Sequence, residues 1–245
     1  EPLRDGDELS TIMYTSGTTG APKGVVQTHA ATLRAFLDWA TLVGLRAEDR
    51  YLIINPFFHT FGYKAGLLAS LLVGATVVPH KVLDVTEVLA TIERERISVL
   101  PGPPTLYRSI LDAPASGRDL SSLRLAVTGA AVVPVRLVEQ LRDETSFTTV
   151  LTAYGLTEAT GVVTMCRPDD DAETVAYTSG RAIPDVEVRI VAEDGRELPA
   201  GECGEVVVRG PNVMLGYHDD PAATAEVIDA LGWLHTGDVG CLDAN

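Results

Sequence analysis

A chain of 245 residues, 46% of them hydrophobic and with a mean hydropathy of +0.15, holds enough apolar material for a sizeable core, which excludes extended disorder. Its 34 acidic against 19 basic residues leave a formal charge of -15, a field that repels nucleic acid and anionic membrane surfaces, so no nucleic-acid partner is expected. A phosphate ligand would need local compensation from backbone N–H groups, a lysine and a divalent cation, and magnesium dependence is expected for that reason.

From residue 9 to about 150, short β-branched runs alternate with amphipathic stretches. This is the pattern of βα units, and it predicts an α/β fold: a mostly parallel, doubly wound sheet with helices on both faces. Strands are expected at 11–14, 51–54, 76–78, 97–100, 123–127 and 148–151, with helices near 29–43, 63–72, 85–94, 105–111 and 134–144. Pro134 stands where a first helical turn needs no N–H donor. The apolar run 65–79 contains Gly66, Ser70, Gly74 and Thr76 and is shorter than the roughly 18 to 20 residues of a spanning helix, so no transmembrane segment is expected. Beyond Arg167, the cluster Pro168-Asp169-Asp170-Asp171 leads into alternating segments at 186–191 and 205–209, set off by Asp194-Gly195 and Pro199-Ala200-Gly201 turns. A smaller antiparallel, β-rich subdomain is expected there, giving a division into 1–170 and 171–245.

Cys166, Cys203 and Cys241 are an odd number at wide spacing without a CxxC pair, which points to reduced thiols rather than disulfides or a zinc site. The start of the chain has neither the basic stretch nor the apolar core of a signal peptide, so a cytoplasmic location is expected.

The strongest chemical signal is Tyr14-Thr15-Ser16-Gly17-Thr18-Thr19-Gly20-Ala21-Pro22-Lys23-Gly24. Glycines that permit close backbone approach, four hydroxyls and one lysine, with no acidic residue among them, suit a phosphate-cradling loop between a strand and a helix. It is not GxxxxGK[ST], because Pro22 precedes Lys23 and Gly24 follows it. Taken alone, such a loop is read by default as a flexible Gly/Thr turn.

This segment resembles the signature of the adenylate-forming superfamily, which includes acyl-coenzyme A synthetases, nonribosomal adenylation domains and luciferases. Further matches follow in the family's order: Asn55-Pro56-Phe57-Phe58-His59, Thr128-Gly129-Ala130-Ala131, Tyr154-Gly155-Leu156-Thr157-Glu158, Gly201-Glu202-Cys203-Gly204-Glu205 and Gly232-Trp233-Leu234-His235-Thr236-Gly237-Asp238. The resemblance implies ATP, Mg²⁺ and coenzyme A as cofactor and co-substrates, with a small-molecule carboxylic acid as the fourth party; association into a homo-oligomer stays open. It gives Thr15, Ser16, Gly17, Thr18, Thr19, Gly20 and Lys23 the phosphates, with Thr18 and Glu158 at the metal. Thr157 would hydrogen-bond the α-phosphate, Tyr154 would stack on the adenine, Gly155 would belong to the nucleotide site, and Gly129, Ala130 and Ala131 would leave a flat slot for the adenine ring. Asp238 would accept both ribose hydroxyls, and His59 would stand beside the acyl pocket. Lys23, Glu158 and Asp238 are thus expected to converge on one nucleotide. Each has a plain structural alternative: a core tyrosine for Tyr154, a turn aspartate for Asp238, a core histidine for His59.

The runs 50–66 and 95–105, with 151–154 and 165–168, are more distinctive and resemble the actinobacterial ligases that activate the indanedione propanoate left from steroid rings C and D. Lys64 is read equally as a cation beside an apolar acyl pocket and as a helix-surface lysine covering apolar neighbours. The alternative acids are medium- or long-chain fatty acids, and the alternative activity is that of a carrier-protein-loading adenylation domain. Family members are about twice as long, so the segment before the phosphate loop and the mobile C-terminal domain are expected to be missing and the 245 residues alone to be inactive.

Overall fold

The computed structural model describes residues 5–15, 22–81, 84–112, 117–129 and 133–244. β1 (Leu9–Thr15) folds back on β2 (Lys23–Thr28), which runs directly into α1 (His29–Leu42). β3 (Arg50–Ile53) is followed by a π-helical stretch, Phe61–Leu68, continuing as α2 (Ala69–Val73). β4 (Thr76–Pro79), α3 (Val85–Glu95), β5 (Val99–Pro101), α4 (Pro104–Asp112), β6 (Leu125–Gly129), α5 (Val135–Glu144) and β7 (Thr149–Tyr154) complete the alternating part. A single 3₁₀ turn, Thr157–Ala159, precedes β8 (Thr164–Met165), α6 (Ala172–Tyr177) and β9 (Arg181–Ala182). Then come β10 (Glu187–Val191), β11 (Cys203–Arg209), β12 (Gly216–Tyr217), α7 (Pro221–Val227) and β13 (Leu234–Cys241).

These elements form two compact units, one of Glu1–Ala35, Gly155–Val163 and Ala182–Asn245, the other of Phe36–Tyr154 and Thr164–Arg181. The sequence suggests one break, at 170/171; the chain instead passes between units at four places. The physical reason is strand pairing. β1 and β2 form an antiparallel hairpin that continues onto β12, so the first strand belongs to a separate three-stranded sheet and not to the parallel one. β2 itself is an element the sequence reading leaves out, while α1 begins at His29 as expected.

In the second unit the sheet runs β4-β3-β5-β6-β7-β8-β9, parallel from β4 to β7 and antiparallel at β7–β8. It is the expected mostly parallel α/β sheet, flanked by helices. Val99, Leu100, Leu125, Ala126 and Val127 are all fully buried, the uninterrupted apolar run of strands covered on both faces. Tyr107 from α4 closes over the sheet, donating its hydroxyl to Leu100 O at 2.6 Å and meeting the Phe147 ring edge-on at 6.0 Å. At the opposite end from the strand carboxyl termini, buried Asp49 is gripped by Arg124, by the Ser98 hydroxyl at 2.7 Å and by the Arg46 N–H at 2.9 Å. The expected helix at 63–72 exists, with its first part wound as a π-helix.

In the first unit β10, β11 and β13 form an antiparallel sheet, as the alternating segments imply. Trp233 packs with Val191 and Val207 in its small core, with the Arg189 and Arg209 guanidinium groups 4.5 and 4.6 Å from its ring. One expectation fails here. Cys203 and Cys241 are direct cross-strand partners, with Cα atoms 4.4 Å apart, and they are joined by a disulfide. Close approach of opposed residues is a property of antiparallel register, which sequence spacing alone does not reveal. Cys166 is a buried free thiol, as expected.

Candidate functional site

Thr15 closes β1, Lys23 opens β2, and the two are register partners at the mouth of the hairpin. Ser16, Gly17, Thr18, Thr19 and Gly20 lie outside the described residues, as do Ala130 and Ala131. From β2, the Lys23 ammonium stands over the ring of Tyr217, 4.8 Å from its centroid, at cation–π distance. The Tyr217 hydroxyl donates to Glu158 Oε1 at 3.0 Å. Tyr217 can reach both because β12 adds to the hairpin: Tyr217 pairs with Val25 and Gly216 with Val26. Lys23 and Glu158, 135 positions apart in sequence, are thereby placed at the face and the tip of one ring.

The turn that presents Glu158 is held at its backbone. Gln27, fully buried in β2, donates to Thr157 O at 2.6 Å, and Met214 N donates to Glu158 O at 2.8 Å. Asn212 reaches back to Val162 O at 2.8 Å while the Thr160 hydroxyl donates to Asn212 O at 2.6 Å. Gly155 enters this stretch where a Cβ would lie 2.3 Å from Gly161 O, so any side chain would force the backbone apart. Burial, reinforced by the Glu158 carboxylate, raises the Tyr217 hydroxyl well above the ordinary phenol range, so it remains a donor.

Asp238 belongs to the same unit but to its other antiparallel sheet, and it is exposed. Between Glu205 and Val207 the β11–β13 register shifts, and Thr236, Gly237 and Asp238 form the extra stretch of β13. Gly237 takes φ 74°, a conformation natural to glycine. Glu205 grips this bulge, taking the Gly237 N–H on Oε1 at 3.1 Å and meeting His235 Nδ1 with Oε2 at 2.8 Å. The Thr236 hydroxyl donates to Val206 O at 2.7 Å and accepts the Asp238 N–H at 3.1 Å. A bulge of this kind re-aims a side chain out of the strand's regular alternation.

In the other unit, the carboxyl edge of the parallel sheet gathers the remaining expected residues. Gly129 ends β6 opposite Ala153 of β7, next to half-buried Tyr154. His59 follows β3 in the loop at that same edge; it is exposed, with Nδ1 accepting the Phe61 N–H at 3.1 Å, so the core-histidine alternative does not hold. Lys64, in the π-helix, is fully buried, which removes the surface-lysine reading; burial pulls its ammonium down to about 7.

Sequence reasoning passes over Tyr217, Gln27 and Asn212. Gln27 carries a usable signal, a long polar side chain directly after the apolar pair Val25-Val26. Tyr217 and Asn212 carry none, because their side chains hydrogen-bond residues 50 or more positions away.

Residues 1–218 match the family model described as AMP-binding enzyme. The chain belongs to that family. Among curated relatives, this AMP-binding enzyme chain is 59% identical over 238 residues to a 3-[(3aS,4S,7aS)-7a-methyl-1,5-dioxo-octahydro-1H-inden-4-yl]propanoyl:CoA ligase of Rhodococcus jostii, covering 97% of this chain and 44% of that protein. A ligase of the same name from Mycobacterium tuberculosis is 58% identical over 96% of this chain and 45% of its own length. The chain thus spans under half of the length of these relatives. Among solved structures, the o-succinylbenzoate coenzyme A synthetase of Bacillus subtilis in complex with AMP superposes with a TM-score of 0.86 at 35% identity, covering 98% of this chain and 48% of that one. Among the described residues, no helix is long and apolar enough to cross a membrane, and no three His, Cys, Asp or Glu side chains cluster as a metal cage.

Proposed function

We propose that this chain is the nucleotide-handling part of an ATP-dependent acid:coenzyme A ligase that works through an acyl-adenylate, with an indanedione propanoate as the acid. The observation that carries the reading is the grouping of Lys23 and Glu158 around Tyr217, with Thr157 next to Glu158 and held at its carbonyl by Gln27. It presents one cation and one hard oxygen ligand side by side, as a metal-bound triphosphate requires. The two propanoyl:CoA ligases at 58–59% identity support the choice of acid.

Adenylation joins a carboxylate oxygen to the α-phosphorus and breaks its bond to the bridging oxygen, releasing pyrophosphate. Two anions must be brought together and the phosphoryl charge balanced in place. Lys23 supplies positive charge to the phosphates, and the Thr157 hydroxyl is a donor to the α-phosphate. Glu158 would hold Mg²⁺. Among the described residues Glu158 is not part of a larger metal cage, and a single carboxylate suits an ion that usually keeps several waters and binds substrate phosphates. When bound, Mg²⁺ neutralises charge on the departing pyrophosphate. Asp238, exposed on its bulge, offers two acceptor oxygens to a ribose diol. The acid is already ionised at neutral pH and needs no general base, so His59 has a positional role. In the second step the coenzyme A thiol forms a carbon–sulfur bond as the acyl–phosphate bond breaks, AMP leaves and the thiol proton passes to solvent.

The test is thioester formation by the intact protein containing this chain, across a panel of ring-derived propanoates and straight-chain acids, with AMP and pyrophosphate counted per turnover. Selective use of the dioxo-indane propanoate is expected; preference for medium- or long-chain fatty acids would transfer the reading to those acids.

A further inference from the structure

We infer that Tyr217 is a positioning residue for the site: its hydroxyl orients the Glu158 carboxylate while its ring face seats the Lys23 ammonium, so that one side chain sets the spacing of the two charged groups. This rests on the reading of Glu158 as the metal-binding carboxylate and Lys23 as the phosphate-binding cation.

Three features separate this from ordinary packing. First, both polar faces of the ring system are in use at once, the hydroxyl at 3.0 Å from Glu158 Oε1 and the π-face at 4.8 Å from Lys23 Nζ. Second, the ring has a stiff mount. The Tyr217 N–H donates to the Thr224 hydroxyl at 2.8 Å, that hydroxyl donates to Asp220 O at 2.8 Å, and the Asp220 side chain caps α7 through Ala223 N at 2.9 Å. Third, the same short segment addresses Glu158 twice, at its side chain from Tyr217 and at its carbonyl from Met214 N at 2.8 Å. Backbone and carboxylate of Glu158 are therefore referenced to one rigid piece of chain. Magnesium demands near-octahedral geometry, so a lone carboxylate ligand that could swing would bind it poorly. A donor occupying one carboxylate oxygen leaves the other aimed, which is the usual task of a partner behind a metal ligand.

Calorimetric titration of the intact protein with ATP, with and without Mg²⁺, tests this in wild type, Tyr217→Phe, Tyr217→Leu and Glu158→Gln. Glu158→Gln is expected to abolish the strengthening of ATP binding by Mg²⁺. Tyr217→Phe keeps the ring, and is expected to raise the half-saturating Mg²⁺ concentration by roughly tenfold while metal-free ATP binding stays at the wild-type level. Tyr217→Leu is expected to weaken metal-free ATP binding as well, through Lys23. Wild-type Mg²⁺ dependence in Tyr217→Phe, with Glu158→Gln still defective, overturns the inference and leaves the reading of Glu158 standing, whatever the thermal stability of the variant. Unaltered Mg²⁺ dependence in Glu158→Gln overturns that reading and the inference with it.

Discussion

Glu205 on β11 holds His235 on β13 through a 2.8 Å contact between Oε2 and Nδ1, and its other oxygen takes the Gly237 N–H at 3.1 Å. One side chain thus ties the residue that leads into the bulge presenting Asp238 to the middle of that bulge. Glu205→Ala removes both grips and is expected to lower stability by about 1 kcal/mol. If Asp238 holds ribose, the variant should also weaken ATP binding several-fold, with binding of inorganic pyrophosphate unchanged. Isothermal titration with the two ligands checks the split, and equal weakening of both would argue against a ribose role.

The disulfide between Cys203 and Cys241 makes a thiol count decisive. Denatured without reductant, the protein should show one reactive thiol, Cys166, and three after reduction. Because the bridge closes a loop with a sequence separation of 38 residues, Cys203→Ser should lower the stability of the oxidised protein by about 2–4 kcal/mol. The same substitution should have little effect under reducing conditions, as followed by urea unfolding with and without reductant.

What could be read from the sequence, and what could not, divides along the range of the interactions involved. The parallel strands β3, β5, β6 and β7 announce themselves because each carries an apolar run buried in the sheet, whereas β4, at the sheet edge, is partly exposed. Lys23, Thr157 and Glu158 stand out because their chemistry is written in the local segment. The disulfide and the allegiance of β1 to a separate sheet depend on register between distant strands, which composition does not encode. Tyr217 is illegible for the same reason. Its significance comes from Lys23 and Glu158, brought to it by the hairpin and a backbone turn. The π-helical start of the segment ending in α2 escapes too, since a 3.6-residue period and a slightly wider one look alike over eight residues.

Asp49 predicts the acid limb of stability. Burial pushes its carboxyl up, but hydrogen bonds from Arg124, Ser98 and the Arg46 N–H, together with the Arg124 charge, outweigh that and hold it below the usual 3.8. A folded-state value below the unfolded one means the contribution is fully present above about pH 4 and is lost as pH falls through the folded value. Arg124→Met leaves a buried carboxylate without its partner and should cost about 3 kcal/mol at pH 7. It should also flatten the loss of stability below pH 4. Urea midpoints from pH 2 to 7 provide the measurement.

Lys64 makes the opposite case on the alkaline side. Its side chain is fully buried, and burial lowers its ammonium from 10.5 to about 7. Between those two values the unfolded chain binds a proton that the folded chain does not, so stability should climb with pH across that window and be flat below it. The full fall converts to at most about 5 kcal/mol against the charged form. Lys64→Met keeps the stem and removes the titrating amine, and should abolish the alkaline climb, read from urea midpoints between pH 7 and 10. If the amine meets a ketone of the acid, the same variant should also lose discrimination between the dioxo-indane propanoate and a straight-chain acid of similar size, read as the ratio of the two kcat/KM values. A variant that loses the climb with that ratio unchanged would remove Lys64 from substrate recognition and leave it a purely structural amine.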